Sequence, residues 1–89
     1  LQLPDTLDDR SPTPLEQAIM NERTERFQEA LKRLSQEDRR AIIWRIELGY
    51  SFAEVAEALG KTSPDAARMA VSRALSRLAK AMGLEARRD

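Results

Sequence analysis

The sequence predicts an all-α fold, a compact bundle of about four helices containing a helix-turn-helix, on three observations. Apolar residues recur at spacings of three and four along most of the chain, the period of a helix with one buried face. Four stretches open with Thr or Ser before a proline or an acid-bearing first turn, the pattern of helix N-caps. Glycine occurs only at positions 49, 60 and 83, each just past a periodic stretch, where a left-handed residue ends a helix. The length of 89 residues fits one small domain whose core must draw on nearly every apolar side chain.

Residues 1–13 hold three aspartates and two prolines with no apolar period, so they read as an acidic, flexible interdomain linker. Thr13-Pro14-Leu15-Glu16 joins an N-cap, a first-turn proline and a reciprocating glutamate, which starts a helix. Leu15, Ile19, the stem of Arg23, Phe27, Leu31 and Leu34 give that helix one stripe, with its end expected near Leu34. Ser35 with Glu37 and Asp38 opens a second helix, whose buried face is Ala41, Ile42, Ile46 and Trp44 and whose stop is Gly49. Ser51-Phe52-Ala53-Glu54 is a further capping box, followed by a short helix with Phe52, Val55, Ala56 and Leu59 on its apolar face. Gly60 closes it. After Lys61-Thr62, Ser63-Pro64 opens a long helix to about Met82, and Gly83 ends it. The domain is thus expected to span 14–83, with residues 84–89 a frayed tail.

Composition excludes several functions. There is no Cys and no His, which removes disulfides, zinc clusters and the usual nucleophile and base pairs. No enzyme activity and no cofactor are expected, and Glu54 and Glu57 read as capping and solvated-face carboxylates rather than an acid and base pair. No apolar run has the length of a membrane helix, and Leu1-Gln2-Leu3-Pro4 lacks a signal-peptide pattern, so a cytoplasmic location is expected. The first residue is Leu, which suits a segment of something longer.

The net charge is zero, but it is unevenly spread. Residues 1–59 carry 8 Lys and Arg against 12 Asp and Glu, whereas residues 60–89 carry 7 against 3. A local positive field at the C-terminal third suits a polyanion. The last two helices, joined at Gly60 by a short turn, have the shape of a helix-turn-helix. Ala67, Val71, Ala74, Leu75 and Leu78 share one face of the last helix, so Arg68, Met69, Ser72, Arg73 and Ser76 point away from it. That stripe carries what a major groove takes: Arg for guanine, Ser for base or phosphate, Met for a thymine methyl. Arg77 and Lys80, farther along, suit phosphates, as do the helix starts at Ser51 and Ser63.

The stretch from Ala30 to Leu78 resembles region 4 of bacterial sigma factors, particularly the extracytoplasmic-function group. The matching pieces are Leu34 with Arg39, then Gly49-Tyr50-Ser51-Phe52-Ala53-Glu54-Val55-Ala56, then Leu59-Gly60, then Ser72-Arg73-Ala74-Leu75. The resemblance implies about four helices, the last one in the major groove of a promoter's minus-35 element. It implies docking on the flap of the RNA polymerase core and often control by an anti-sigma factor. It also places Arg39 and Phe52 near the DNA backbone, where Lys61, Thr62 and Ser63 of the turn are expected as well. Two features depart from the family pattern: the turn after Gly60 is one residue longer, and Ala70 stands where many members carry Arg. Two alternatives share the fold. One is a sigma-like decoy that binds an anti-sigma factor instead of DNA, and the other is the helix-turn-helix output domain of another regulator.

Overall fold

The computed structural model describes residues 10–22 and 25–83. Within them lie five helices and no strand: α1 Pro14–Asn21, α2 Glu25–Lys32, α3 Gln36–Ile42, α4 Phe52–Leu59 and α5 Pro64–Ala81. Residues 1–9 of the expected linker and the expected tail 84–89 lie outside the described residues.

Each start follows the chemistry read from the sequence. The Thr13 hydroxyl accepts the Glu16 N–H while the Glu16 carboxylate accepts the Thr13 N–H, a complete capping box. Ser51 and Glu54 repeat it at α4. Ser35 caps α3 and Ser63 caps α5, where Pro64 takes the first helical position. At the end of α4, Gly60 (φ +75°) turns left-handed, and Lys61 N–H bonds the Ala56 carbonyl at 2.8 Å. This is the six-to-one closure of a Schellman turn.

Two elements differ from expectation. The single helix foreseen from Pro14 to Leu34 is two helices, and Glu22 caps the first (φ −102°), its N–H shared between the Ala18 and Ile19 carbonyls. Residues 22–26 are Glu, Arg, Thr, Glu and Arg, a stretch of sequence with no apolar residue to carry the stripe on. Ile19 and Phe27 each bury fully on their own side of it. Arg23, expected to carry the stripe across, is not among the described residues. The second difference is in the helix from Ser35, which widens after Ile42 into a π-helical turn over Ile43–Glu47. Leu48 N–H then reaches the Ile43 carbonyl, five residues back, at 3.0 Å. The extra residue per turn shifts the register of the faces. Arg45 and Ile46 are buried, and Trp44 is only half-buried, stacking on Tyr50 at 6.4 Å between centroids.

Helix α5 is the centre of the bundle, with α3 and α4 against it most extensively and α1 and α2 also packed on it. Its alanines explain both facts: they favour helix and are small enough for neighbouring backbones to approach. Ala67, Val71, Ala74, Leu75 and Leu78 are buried as the periodicity predicts, joined by Ala70, Ala79 and Met82. All of these except Ala70 pack with Ile19, Phe27, Leu31, Ile42, Ile46, Phe52 and Val55 in one core. Arg26 of α2 donates to the Met82 carbonyl at the end of α5, which ties the second helix to the C-terminus of the fifth.

Beside this core sits an ion pair. The side chains of Glu16 and Arg45 are 3% and 2% exposed, and Arg45 Nε donates to Glu16 Oε2 at 3.0 Å. The other guanidinium nitrogens donate to the carbonyls of Tyr50 (2.9 Å) and Ser11 (3.0 Å). A buried charge persists only when it is paired and its donors are taken up, and here one arginine joins α1, the π turn and the loop before α4.

Candidate nucleic-acid interface

The candidate surface is built on α4 and α5, joined by the turn Gly60–Ser63. Because the buried face of α5 is set by Ala67, Val71, Ala74, Leu75 and Leu78, its other face is presented outward. Arg68, Met69, Ser72, Arg73 and Ser76 are all exposed, Met69 to 54%. The helix thus brings together all five residues expected to face bases. Arg77 and Lys80 continue the exposed stripe one and two turns on.

The electrostatics of this face explain how a neutral domain can carry it. Arg77 Nη1 pairs with Asp38 of α3 at 2.8 Å, Lys61 pairs with Glu37 at 3.0 Å, and Arg68 pairs with Asp65 in the first turn of its own helix. Arg73 and Lys80 have no ion-pair partner among the described residues. Arg73 borders a cleft formed by Ser35, Glu37, Asp38, Ala41, Ala70 and Arg77, so acids of α3 stand beside the basic stripe. Ala70, expected to mark a missing surface contact, is itself buried at the edge of this cleft.

The backbone-contact residues fare differently. Phe52 is 3% exposed, so its ring is a core group and cannot lie against a phosphate as expected. An aromatic ring on the first turn of so short a helix is drawn inward because the core needs its area. Ser51 is buried too, and its hydroxyl accepts the Glu54 N–H while its own N–H is taken by Glu54. The capping box uses donors that the sequence reading offered to phosphates. Ser63 likewise spends its hydroxyl on Ala66 N–H. Arg39 turns back and donates to the Leu34 carbonyl at 2.6 Å, which caps the end of the preceding segment instead of pointing to solvent. Thr62 is exposed at the turn.

Sequence reasoning missed three groups around this surface. Arg10 forms a two-pronged pair with Glu54, 3.0 Å on each arm, and also donates to the Gly49 carbonyl at 3.2 Å. The Arg10 guanidinium and the Ser51 N–H hold the Glu54 carboxyl below its ordinary range. Second, Arg45 lies with its guanidinium carbon 3.8 Å from the centroid of Phe52, and Arg68 approaches the same ring at 5.1 Å. The sequence signal for both is weak: an arginine on an apolar face and an aromatic at the first position of a short helix. Third, Leu48, at the end of the π turn, is 55% exposed, and Trp44 and Tyr50, near it in sequence, are only half-buried.

Between α1 and α5 a largely apolar groove of about 330 Å³ is lined by Pro14, Leu15, Phe52, Met69, Val71 and Leu75. No helix among the described residues is long and apolar enough to cross a membrane. In comparison with known proteins, the model of the family described as Sigma-70, region 4 matches residues 24–78. No curated protein and no solved structure gives a match.

Proposed function

Because the chain belongs to the sigma-70 region 4 family, whose members are promoter-recognition domains and not enzymes, we propose that it reads the minus-35 element of a promoter with the outer face of α5. The observation that carries this is the single exposed face on which Arg68, Met69, Ser72, Arg73 and Ser76 converge while the opposite face is wholly apolar. In this reading Arg73 and Arg68 meet guanines, Met69 a thymine methyl, and Ser72 and Ser76 bases or sugar oxygens. Arg77, Lys80, Lys61 and Thr62 line up phosphates, and Ser51, Ser63 and Phe52 act as supports of that surface. RNA polymerase is the second partner, engaged through its flap, with the extracytoplasmic-function group as the subfamily and the cytoplasm as the site of action. An isolated module of this kind binds DNA at roughly 10⁻⁴ to 10⁻⁶ M, and tethering in the holoenzyme supplies the rest.

A titration of the domain against the promoter duplex of its own operon and a scrambled duplex, at low and moderate salt, tests this. Preference for the promoter that vanishes in Arg68→Ala/Arg73→Ala supports it; equal binding to both duplexes by folded protein contradicts it. One observation favours a second reading, in which a sigma-like domain binds an anti-sigma factor in place of DNA. Three of its surface cations, Lys61, Arg68 and Arg77, are already matched by its own carboxylates. Unpaired Arg73 weighs against it.

A further inference from the structure

The matched stretch begins at residue 24, so α1 lies outside it, yet α1 is wired into the reading face. Glu16 on α1 holds the buried guanidinium of Arg45 at 3.0 Å. Arg45 stands 3.8 Å from the centroid of Phe52, and the same ring lies 5.1 Å from the guanidinium carbon of Arg68. Arg45 cannot drift from the ring, because Ser11 and Tyr50 carbonyls hold its remaining nitrogens. Phe52 is immobile in turn, being buried between the π turn and α5. Arg68 is 53% exposed at its side chain, and a guanidinium within about 6 Å of a ring is drawn to it. An exposed arginine ordinarily samples many rotamers, and ordering it on binding costs affinity. Arg68 meets that cost in advance, whereas Arg73, with no partner among the described residues, does not.

We infer that Phe52, fixed through Arg45 by Glu16 of α1, is a positioning residue that presets the direction of Arg68, so that the helix preceding the family domain sets the specificity of its DNA-reading face. The inference rests on the reading of Arg68 as base-facing. Its structural half can be examined without DNA. By ¹⁵N relaxation at the arginine Nε groups of the whole chain, Arg68 should show an order parameter above about 0.6 and well above that of Arg73. It should fall toward the Arg73 value in Phe52→Leu and in Glu16→Leu/Arg45→Met, and should stay high in Asp65→Asn, which removes only the pair within α5. Its functional half is a cycle: Phe52→Leu lowers the promoter-over-scrambled ratio by roughly 2- to 10-fold and has no further effect in an Arg68→Ala background. Equal mobility of Arg68 and Arg73 in the wild type overturns the inference whatever the variants do. An undiminished effect of Phe52→Leu in the Arg68→Ala background does so too, since that is a merely structural role. If the wild type shows an ordered Arg68 but no promoter preference, the functional reading fails and the preset arginine stands.

Discussion

Consider the removal of one carboxylate, Glu16→Ala. The wild-type pair sits with both side chains almost wholly out of water, with Glu16 Oε2 3.0 Å from Arg45 Nε. Without it a buried guanidinium loses the carboxylate that pairs with it. Breaking one side of a buried pair costs about 3–5 kcal/mol, and the Glu16 arm of the capping box at Thr13 is lost as well. Native stabilities run at about 5–15 kcal/mol, and a chain of this size lies toward the lower end. The loss is therefore a large fraction of the whole. At roughly 4–8 °C per kcal/mol, 3 kcal/mol lowers Tm by about 12–24 °C. Replacing both partners, Glu16→Leu/Arg45→Met, removes the stranded charge and keeps the volume, so stability should return to within about 2 kcal/mol of wild type. Full recovery is not expected, because the Ser11 and Tyr50 carbonyls lose their donor. Urea melts followed by circular dichroism measure all three proteins. A Glu16→Ala midpoint indistinguishable from wild type, or a double variant no better than the single, would refute the reasoning.

Four further outcomes follow from the same geometry. Gly60→Ala should cost about 1–2 kcal/mol in a denaturant melt, because φ is +75° and nothing crowds the new methyl, so the penalty is wholly that of the left-handed backbone. Asp38→Asn should strengthen DNA binding several-fold at low salt and hardly at all at high salt, since it releases Arg77 and removes a negative charge beside Arg73. Lys80→Ala should reduce the slope of log affinity against log salt by about 0.9 while leaving the preference between duplexes intact, as a phosphate contact does. Glu54 has a folded-state pKa depressed by Arg10, so its stabilisation is complete above the unfolded value near 4.5 and disappears as pH falls through the folded value. A carboxyl-detected NMR titration should place its midpoint below 4.5, and Arg10→Ala should move that midpoint up.

Much of this was readable in the residues. Every N-cap hydroxyl, at Thr13, Ser35, Ser51 and Ser63, caps as its spacing required, because the pattern is local and needs only a few neighbouring side chains. The buried and exposed faces of α5 followed from one period over eighteen residues, long enough to average out exceptions. What escaped was decided at a distance. That α1 ends at Asn21 and α2 begins at Glu25 depends on how each meets α5. The π turn depends on where Arg45 finds Glu16, 29 positions away, and a periodicity of 3.6 has no place for an inserted residue. Phe52 went astray for the same reason. Its family-like position suggested the surface, while the cation beneath it and the core around it decided otherwise. The pairing of Lys61, Arg68 and Arg77 with carboxylates could be counted as charge in the sequence but not matched, since Asp38 and Arg77 are 39 residues apart.

The most direct test of the central claim is to follow the ¹H–¹⁵N spectrum of the labelled domain as a minus-35 duplex is added, with a scrambled duplex as reference. The account predicts that the duplex-dependent shifts concentrate on Arg68, Met69, Ser72, Arg73 and Ser76, with smaller, salt-sensitive ones at Lys61, Arg77 and Lys80. Shifts confined to Trp44, Leu48 and Tyr50, or identical for the two duplexes, would contradict it.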